Sequence, residues 1–565
     1  MYISNYRRRN EAVFLVFFIF LLLCIGRLFF IQFFRSAYLI SIAKKQHNQL
    51  VELEPRRGAI YDVNLKAQAF NMSMDSIYAV PGAIKNKEYA IDQLQSILGL
   101  KRSYLEDRLN RKKSFIWVAR KLNPDKSEAI KKLNIKGLGF LKETKRIYPN
   151  SYLSSHVIGF SGMDNIGLEG VERDYNRYLK GIPGWAIFLR DARQKQLDIW
   201  EKMVVPVDGA DLVLTVDEVI QYIAERELDK AFKSFNAKGA SIIVMDPHTG
   251  KILALANRPT YDLNDHSNVS KDFMRNRAIC DLFEPGSVFK IVTASAALEE
   301  KKITEEDVVF CENGSYSVGG RVLHDHRPHG LLTFRQVIEE SSNIGTVKVA
   351  QLLGKDKLYQ YIKAFGFGSK LGFDLSGEIS GMIIPTRLWS KSSITSIPMG
   401  QGVGVTALQL ASAISVIANG GQLMKPYIID SVRDTQGHLI KQNKPVLIRK
   451  VISVDTAMRI KKILTGVIEE GTGKLAKVSG FSAAGKTGTA QKLEADGTYS
   501  HNKFVASFIG FAPAEDPMLT IVVIVDEPHP YYFGGVVAAP VFQKVAGDVI
   551  RYIKGNELPI EVIPQ

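Results

Sequence analysis

The sequence predicts a multidomain α+β protein with a single N-terminal transmembrane helix. Its 565 residues exceed what one hydrophobic core normally organises, so two or more domains are expected. One long apolar stretch lies close to the start, while the chain as a whole is 46% hydrophobic, as expected for a soluble body with a limited membrane portion. In the second half, predicted strands lie at both ends with helices between them, which favours an antiparallel sheet flanked by helices.

The apolar stretch covers residues 12–34, which we interpret as a transmembrane anchor after a short tail at 1–11. These 23 residues can cross a bilayer as a tilted helix. Arg27 interrupts the stretch beyond its centre, where its side chain can reach the membrane surface. A cleaved signal peptide is the alternative, but Phe33 and Phe34 stand where small cleavage-site residues would be needed. We therefore expect an uncleaved anchor.

Two segments follow the anchor. Residues 36–205 contain short, charged segments without a recognisable catalytic motif, and the turn-forming cluster Pro206–Gly209 marks the predicted domain boundary. Residues 206–565 form the predicted catalytic domain. Its expected elements are strands at 211–216, 239–245, 251–256, 504–511 and 519–525, and helices from about Val219, at 288–298 and at 407–418.

Three short motifs stand in one order within the predicted catalytic domain. They are Ser287-Val288-Phe289-Lys290, Ser341-Ser342-Asn343 and Lys486-Thr487-Gly488. Each motif is weak alone, because Ser41–Lys44 and Ser500–Lys503 also satisfy the serine–lysine spacing. The ordered set, with Glu284-Pro285-Gly286 directly before the serine, indicates an acyl-transfer active site.

The first motif predicts a nucleophile and its base. Ser287 and Lys290 are three residues apart on a predicted apolar helix, so their side chains share one face. A serine hydroxyl needs an adjacent base to act as a nucleophile at neutral pH. A lysine amine serves as that base only when burial lowers its pKa, and the apolar helix face would supply such burial.

The other two motifs predict the groups that handle protons and substrate. The Ser341 hydroxyl can pass a proton to the leaving nitrogen, and the Asn343 amide can hold the substrate backbone. Lys486 offers positive charge, and Thr487 offers a hydroxyl, to a substrate carboxylate. Gly488 leaves room for the substrate to approach its strand closely.

Charge, cysteine and histidine patterns bear on other classes of protein. The net charge of +15 is spread along the chain without a nucleic-acid-binding module, so we expect no nucleic-acid partner. Cys280 and Cys311 could pair in an oxidising compartment, although two unpaired thiols are the simpler interpretation. His324, His326 and His329 lack a partner motif for a metal, so we expect a polar loop near the site, with no metal and no cofactor.

From these motifs outward, the chain resembles the class B, or monofunctional, penicillin-binding proteins. The resemblance covers nearly the whole sequence. It rests on Arg56–Asp62, Arg146–Pro149, His156–Gly159 and Gly167–Gly170 in the first half, and on Pro259–Asn264, Asn276–Ala278, Gly400–Thr406 and Tyr531–Pro540 in the second. One departure is Val63-Asn64-Leu65, which stands where the family usually has an Arg-Asn-Gly turn.

The resemblance implies an elongated pedestal or dimerisation-type domain at 36–205 and a serine β-lactamase/transpeptidase-like domain at 206–565. It also implies a peptidoglycan D,D-transpeptidase that β-lactams inhibit covalently. In this reaction Ser287 attacks the D-Ala-D-Ala amide of a stem peptide, D-Ala leaves, and an amine of a second stem resolves the acyl-enzyme. The implied oxyanion hole consists of the backbone N–H groups of Ser287 and Thr489.

The same resemblance sets the expected location and partners. Positive charges lie on both sides of the anchor, so charge alone does not orient it. A cell-wall transpeptidase must face outward, which places residues 1–11 in the cytoplasm and the catalytic domain outside the inner membrane. The expected partners are peptidoglycan stem peptides, β-lactams, the membrane, a polytopic glycan polymerase and other division proteins.

Within the family, the septal, division-specific group matches best. The features behind this choice are the short spacing from anchor to first motif, the segment Ile77–Pro81 and the lack of appended C-terminal modules. An elongation-specific transpeptidase is the alternative inside the family. Outside it, a β-lactam hydrolase or sensor is opposed by the large N-terminal segment, and a non-catalytic division scaffold by the three intact motifs.

Overall fold

The structure is a computed structural model that describes residues 2–39, 48–113, 115–190, 196–318, 320–494 and 496–555. The chain forms two compact units. One contains the residues up to Arg56 together with Gly181–Gly209, and the other contains Arg57–Lys180 and the chain from Ala210 onward.

The described strands, in chain order, are β1 (Asn48–Leu53), β2 (Ile60–Tyr61), β3 (Ala67–Ala79), β4 (Ile116–Leu122), β5 (Leu138–Ile147), β6 (Gly184–Arg190), β7 (Gln196–Val204), β8 (Asp211–Leu214), β9 (Gly239–Met245), β10 (Ile252–Arg258), β11 (Val308–Phe310), β12 (Ser315–Val318), β13 (Arg321–His324), β14 (Leu331–Thr333), β15 (Gln422–Met424), β16 (Ile429–Arg433), β17 (Leu439–Gln442), β18 (Leu447–Lys450), β19 (Ala484–Leu493), β20 (Tyr499–Ala512) and β21 (Leu519–Asp526). The described helices of eight or more residues are Tyr2–Phe33, Lys87–Leu98, Arg102–Asn110, Pro124–Lys132, Glu218–Ser234, Lys290–Glu299, Asn343–Leu353, Lys355–Ala364, Ala407–Ala418, Val454–Glu469 and Ala539–Ile553.

The first unit holds the predicted anchor and a small sheet. Within the helix Tyr2–Phe33, the segment Arg9–Phe33 is long and apolar enough to cross a membrane, and its most apolar stretch is not covered by described protein. The predicted span at 12–34 therefore falls on one continuous helix up to Phe33. β1, β6 and β7 form a three-stranded antiparallel sheet in that order.

The catalytic sheet lies in the second unit and has the order β10-β9-β21-β20-β19, with every pair antiparallel. Alternate residues of its strands pack on opposite faces, so that Ile242 and Ile243 belong to different hydrophobic cores. The helices in the core of Ile242 include Glu218–Ser234 and Ala539–Ile553. Those in the core of Ile243 include Lys290–Glu299, Ala407–Ala418 and most of the buried face of Val454–Glu469. The predicted antiparallel sheet flanked by helices is confirmed.

A second sheet combines strands from before and after the predicted domain boundary. Its order is β17-β16-β8-β2-β3-β4, and β5 also pairs with β3. β2 and β8 are parallel neighbours, with Ile60 opposite Leu212 and Tyr61 opposite Val213. The N-terminal segment and the catalytic half therefore share backbone hydrogen bonds within one unit.

The N-terminal motifs converge on one buried carboxylate, that of Glu172. Arg57 Nε donates to one oxygen at 2.7 Å, and Arg146 Nε donates to the other at 2.6 Å. The Tyr148 hydroxyl lies 3.2 Å from the second oxygen, and Glu172 has no exposed surface. Because both guanidinium groups donate to the same carboxylate, this cluster holds together segments of the chain that are far apart in sequence.

We expect Glu172→Gln to lower the unfolding midpoint of the full-length chain in detergent. Removing the shared carboxylate leaves two buried guanidinium groups without an opposite charge, and breaking a buried pair typically costs about 3–5 kcal/mol. The control is Glu128→Gln, which removes an exposed ion pair with Lys132 and should leave the midpoint almost unchanged. Equal shifts in thermal unfolding of the two variants would contradict a structural role for Glu172.

Candidate active site

The candidate nucleophile lies on a tight turn before a buried helix. Ser287 is half-buried and belongs to the 3-10 turn Gly286–Phe289. Gly286 has φ +58°, and a Cβ atom there would lie 3.0 Å from the carbonyl oxygen of Thr489. Glycine therefore provides both the left-handed backbone and the close packing of this turn against β19.

The local structure here differs from the sequence prediction. We predicted that Ser287 and Lys290 lie on one α-helix, but the α-helix begins only at Lys290. 3-10 turns are frequent where α-helices begin, and residues three apart eclipse one another in such turns. The shared face that the predicted chemistry needs is therefore kept by a different local geometry.

Lys290 is fully buried, and its amine contacts the second motif. Nζ donates hydrogen bonds to the Ser341 carbonyl oxygen at 2.6 Å and to Oδ1 of Asn343 at 2.8 Å. Burial lowers the pKa of Lys290 to about 7, against the opposing effect of the Asp325 charge. A large fraction of the amine is therefore neutral near pH 7, as a base requires.

The Ser341 hydroxyl lies between two buried amines. Nζ of Lys486 is 2.9 Å from Ser341 Oγ, and Nζ of Lys290 is 3.3 Å from the same oxygen. Burial lowers the pKa of Lys486 well below its usual value, and the charge on Lys290 lowers it further. Because two ammonium groups in one dry pocket repel each other, the pair does not hold both protons easily. Ser341 connects the two amines through hydrogen bonds.

The backbone at Ser341 is itself unusual. Its φ of +59° lies in the left-handed region, which residues with side chains rarely adopt. The next residue, Ser342, is the N-cap of the helix Asn343–Leu353 and accepts a hydrogen bond from the N–H of Gly345. The strained residue thus turns its hydroxyl toward the amines at the point where the chain enters a helix.

A carboxylate that the sequence analysis does not select fixes the second motif. Asp325 accepts hydrogen bonds from the Ser342 hydroxyl at 2.7 Å, from the N–H of Ile344 at 3.0 Å and from the N–H of Asn343. The carboxylate therefore caps the helix, where the dipole favours negative charge. Its sequence signal is the polar run at 324–329, whose aspartate contacts the motif through its side chain, while His324 contacts Asn343 through its backbone carbonyl oxygen.

The third motif lies on an edge strand. Among the described strands, β19 pairs only with β20, so its other edge is open. The Thr487 hydroxyl is 2.9 Å from the hydroxyl of Thr472, and Thr489 Oγ1 accepts the N–H of Gly534 at 3.0 Å. These contacts orient the hydroxyl-bearing side chains of the strand.

Tight packing gives a second reason for a glycine at position 488, in addition to the substrate access that the sequence suggests. A Cβ atom at this position would lie 2.3 Å from Ser507 Oγ and 3.0 Å from the carbonyl oxygen of Pro285. Pro285 immediately precedes the nucleophile turn. The glycine therefore lets that turn and β20 pack against β19, and room for substrate approach stays a prediction.

The competing serine–lysine pairs do not share these surroundings. In the described chain Ser500 is buried and bonds Asn502 at 2.9 Å, while Lys503 pairs with Glu494 at 3.0 Å. The pair Ser41–Lys44 lies outside the described residues. Among the pairs that the structure describes, only the one at Ser287 lies with the second and third motifs.

The cysteines and histidines that the sequence analysis singles out make contacts that fit a structural role. Cys280 and Cys311 are free thiols, and Cys311 Sγ lies 3.4 Å from the Ser342 hydroxyl. Burial raises the pKa of Cys280 to about 12, which keeps it a thiol. The His326 ring lies 5.1 Å from the ring of Phe533. Across the described ranges, no group of three or more His, Cys, Asp or Glu side chains could hold a metal.

Two protein families match successive parts of the chain. Residues 52–214 match the penicillin-binding protein dimerisation domain, and residues 240–547 match the penicillin binding protein transpeptidase domain. The second match covers more than half of the chain and contains all three motifs.

Relatives match over nearly the full length. Stage V sporulation protein D of Bacillus subtilis is 38% identical over 98% of this chain and 86% of its own length. Peptidoglycan D,D-transpeptidase FtsI of Escherichia coli K12 is 31% identical over 93% of this chain and 89% of its own. Together with the apolar N-terminal helix, these relatives indicate a membrane-anchored protein.

Solved structures agree with these matches. Penicillin-binding protein 3 of Mycobacterium tuberculosis, complexed with aztreonam, superimposes with a TM-score of 0.70 at 27% identity, covering 91% of this chain and all of the other. Penicillin-binding protein 2X of Streptococcus thermophilus gives a TM-score of 0.74 at 26% identity, covering 90% and 82%. The predicted fold and family are confirmed, and the chain belongs to the class B penicillin-binding proteins, with an N-terminal dimerisation domain and a C-terminal transpeptidase domain.

Proposed function

We propose that this protein is a peptidoglycan D,D-transpeptidase in which Ser287 is the nucleophile and two buried lysines move protons. The observation that carries the proposal is the pair of amines, Lys290 and Lys486, on either side of the Ser341 hydroxyl. Relatives named as D,D-transpeptidases support stem peptides as substrates. The relative solved with aztreonam supports β-lactams as ligands of the same site.

Acylation uses the neutral amine of Lys290. This amine takes the proton of Ser287 while the serine oxygen attacks the carbonyl of the D-Ala-D-Ala amide. The backbone N–H groups of Ser287 and Thr489 stabilise the negative oxygen that forms. As the C–N bond breaks, the Ser341 hydroxyl donates a proton to the leaving D-Ala nitrogen and receives one from a neighbouring amine. An amine of a second stem peptide then attacks the ester and releases Ser287.

Lys486 and Thr487 bind the substrate carboxylate. Without substrate, burial and the charge on Lys290 lower the pKa of Lys486, which disfavours its protonated form. A nearby anion is therefore needed to stabilise the positive charge. A terminal carboxylate near Thr487 supplies that negative charge and favours the protonated amine. The Asn343 amide, whose oxygen accepts a hydrogen bond from Lys290, holds the substrate backbone on the other wall.

The cellular arrangement follows from the reaction. Residues 1–11 lie in the cytoplasm and the transpeptidase domain lies outside the inner membrane, where peptidoglycan is cross-linked. The helix that contains residues 12–33 keeps the enzyme close to lipid-linked wall precursors. A polytopic glycan polymerase and other division proteins are the partners that we propose, since the matched catalytic domain is a transpeptidase and cross-linking needs glycan strands made by another activity.

Septal cell-wall synthesis during division is the role that the FtsI relative favours. Spore formation is the second candidate, because a protein named for stage V of sporulation matches over 98% of this chain. Both roles use the same cross-linking chemistry and differ in when and where the enzyme acts.

We expect Ser287→Ala to abolish covalent labelling by a fluorescent penicillin, because the acyl-enzyme ester cannot form. Labelling is measured by gel fluorescence of the full-length chain, with thermal unfolding to show that the variant folds. Ser500→Ala is the matched control and should label normally. Labelling of Ser287→Ala at the wild-type level would overturn the assignment of the nucleophile.

The rate of penicillin acylation should rise as the pH increases through about 7, because only the neutral Lys290 amine accepts the serine proton. Asp325→Asn removes the negative charge that raises the pKa of Lys290. In that variant the rise should therefore occur at lower pH. The measurement is the second-order acylation rate on both sides of neutrality, with the exposed Asp356→Asn as control. An unshifted profile in Asp325→Asn would contradict the electrostatic link.

Depletion of the protein in its native cells distinguishes the cellular roles. Loss of septal cross-linking should give long filaments, because elongation continues while division stops. Rounded cells would indicate the elongation role instead, and normal vegetative growth with defective spores would indicate the sporulation role. Microscopy of depleted cells that express either the wild type or Ser287→Ala also shows whether catalysis is needed.

A further inference from the structure

A threonine outside the three motifs bonds the threonine of the third motif. The hydroxyl oxygens of Thr472 and Thr487 are 2.9 Å apart, and either hydroxyl can be the donor. Thr487 is buried, whereas Thr472 is exposed beside it. Thr487 is also the residue whose hydroxyl the proposed function assigns to the substrate carboxylate. The contact therefore bears on how that hydroxyl is directed.

Backbone hydrogen bonds hold the loop that carries Thr472. The N–H of Gly473 donates to the carbonyl oxygen of Val467, in the preceding helix, at 2.9 Å. The N–H of Thr472 donates to the carbonyl oxygen of Glu339 at 3.3 Å. Glu339 lies two residues before Ser341, so the loop connects the segment that leads into the second motif with the strand that carries the third.

Glycines allow this loop to lie close to its neighbours. A Cβ atom at Gly471 would lie 2.4 Å from the carbonyl oxygen of Glu339, and one at Gly535 would lie 2.8 Å from the carbonyl oxygen of Thr472. Both distances are shorter than a real Cβ contact, so a larger residue at either position would displace the loop. Close packing on two sides thus fixes the position of the Thr472 backbone.

The direction of the bond between the two hydroxyls depends on what else Thr487 contacts. Each hydroxyl has one hydrogen to donate, and an ionised carboxylate only accepts. When Thr487 donates its hydrogen to a carboxylate, it can act toward Thr472 only as an acceptor, so Thr472 becomes the donor. The two hydroxyls then form a chain that points at the anion, in which the first bond strengthens the second.

We propose that Thr472 is a positioning residue that directs the Thr487 hydroxyl toward the terminal carboxylate of the substrate. This inference rests on the proposed function and deepens it. Thr472 acts through Thr487 and does not itself contact the anion. Its contribution is to the preference for ligands that end in a negative charge, because a neutral end group draws less on the chain of two hydroxyls.

The test compares benzylpenicillin with its methyl ester, which lacks the negative charge. The full-length chain is incubated with each compound, and the loss of labelling by a fluorescent penicillin over time gives the second-order acylation rate constant. The ratio of the two constants is the anion preference. Both constants come from the same preparation, so a fraction of inactive molecules does not alter the ratio.

In Thr472→Val the anion preference should fall about fivefold, as expected for one lost hydrogen bond. The added methyl group takes the place of the hydroxyl and keeps water from replacing it. Thr472→Ser retains a hydroxyl and should restore most of the preference. The control is Thr465→Val, whose hydroxyl bonds the Lys461 carbonyl oxygen within the preceding helix, and it should match the wild type. An unchanged ratio in Thr472→Val would overturn the proposal.

A double variant shows whether Thr472 acts through Thr487. Thr487→Val alone should lower the anion preference, and adding Thr472→Val should lower it no further, because the hydroxyl that Thr472 directs is already gone. Losses that multiply in the double variant would mean that Thr472 contacts the anion itself, which contradicts a positioning role.

The outcomes also separate this inference from the proposed function. An unchanged preference in Thr487→Val would contradict the proposed binding of the carboxylate at the third motif. A lowered preference in Thr487→Val with an unchanged one in Thr472→Val would leave the proposed function intact and overturn the role of Thr472. Because Thr472 is exposed, thermal unfolding of its variants should match that of the wild type.

Discussion

The site depends on keeping two amines in one dry pocket around a single hydroxyl. Lys290 and Lys486 come from a helix and from an edge strand, and Ser341 lies between them with a strained backbone. Lys290 would not be a base if water reached it, because its pKa would return to the usual range. The glycine beside the nucleophile and the carboxylate beneath the second motif both serve this arrangement: one brings the helix close to the strand, and the other fixes the loop.

Two opposing electrostatic effects set the pKa of the buried lysine base in this pocket. Asp325 partly offsets the burial of Lys290, which leaves its pKa near neutrality instead of far below it. The pKa of Lys486 is lowered by burial, and the charge on Lys290 adds to that effect. The two amines therefore have different proton affinities, which is what a pathway from one to the other requires.

The sequence was informative where function depends on local spacing, and uninformative where it depends on long-range contacts. Ser287 and Lys290 could be predicted because their spacing brings them together and because the other two motifs follow them in a fixed order. Asp325 and Glu172 could not, because a single carboxylate has no local signature and its role depends on which segments the fold brings to it. Likewise the helix at 407–418 was predictable from its apolar residues, whereas the pairing of β2 with β8 was not.

The open edge of β19 has a consequence for solubility. A strand that must stay unpaired to receive a peptide also exposes backbone groups to the strands of other molecules, which is how edge-to-edge aggregation begins. The chain limits this risk beyond the catalytic segment: the pairing of β19 with β20 is irregular between Gln491 and Leu493, and Lys492 places a charge there, held by Asp526 and Glu527. The regularly paired part of the strand, residues 484–491, ends where this irregular and charged segment begins. A peptide can add along the regular part, whereas a foreign strand that extends further meets an irregular backbone and a charge.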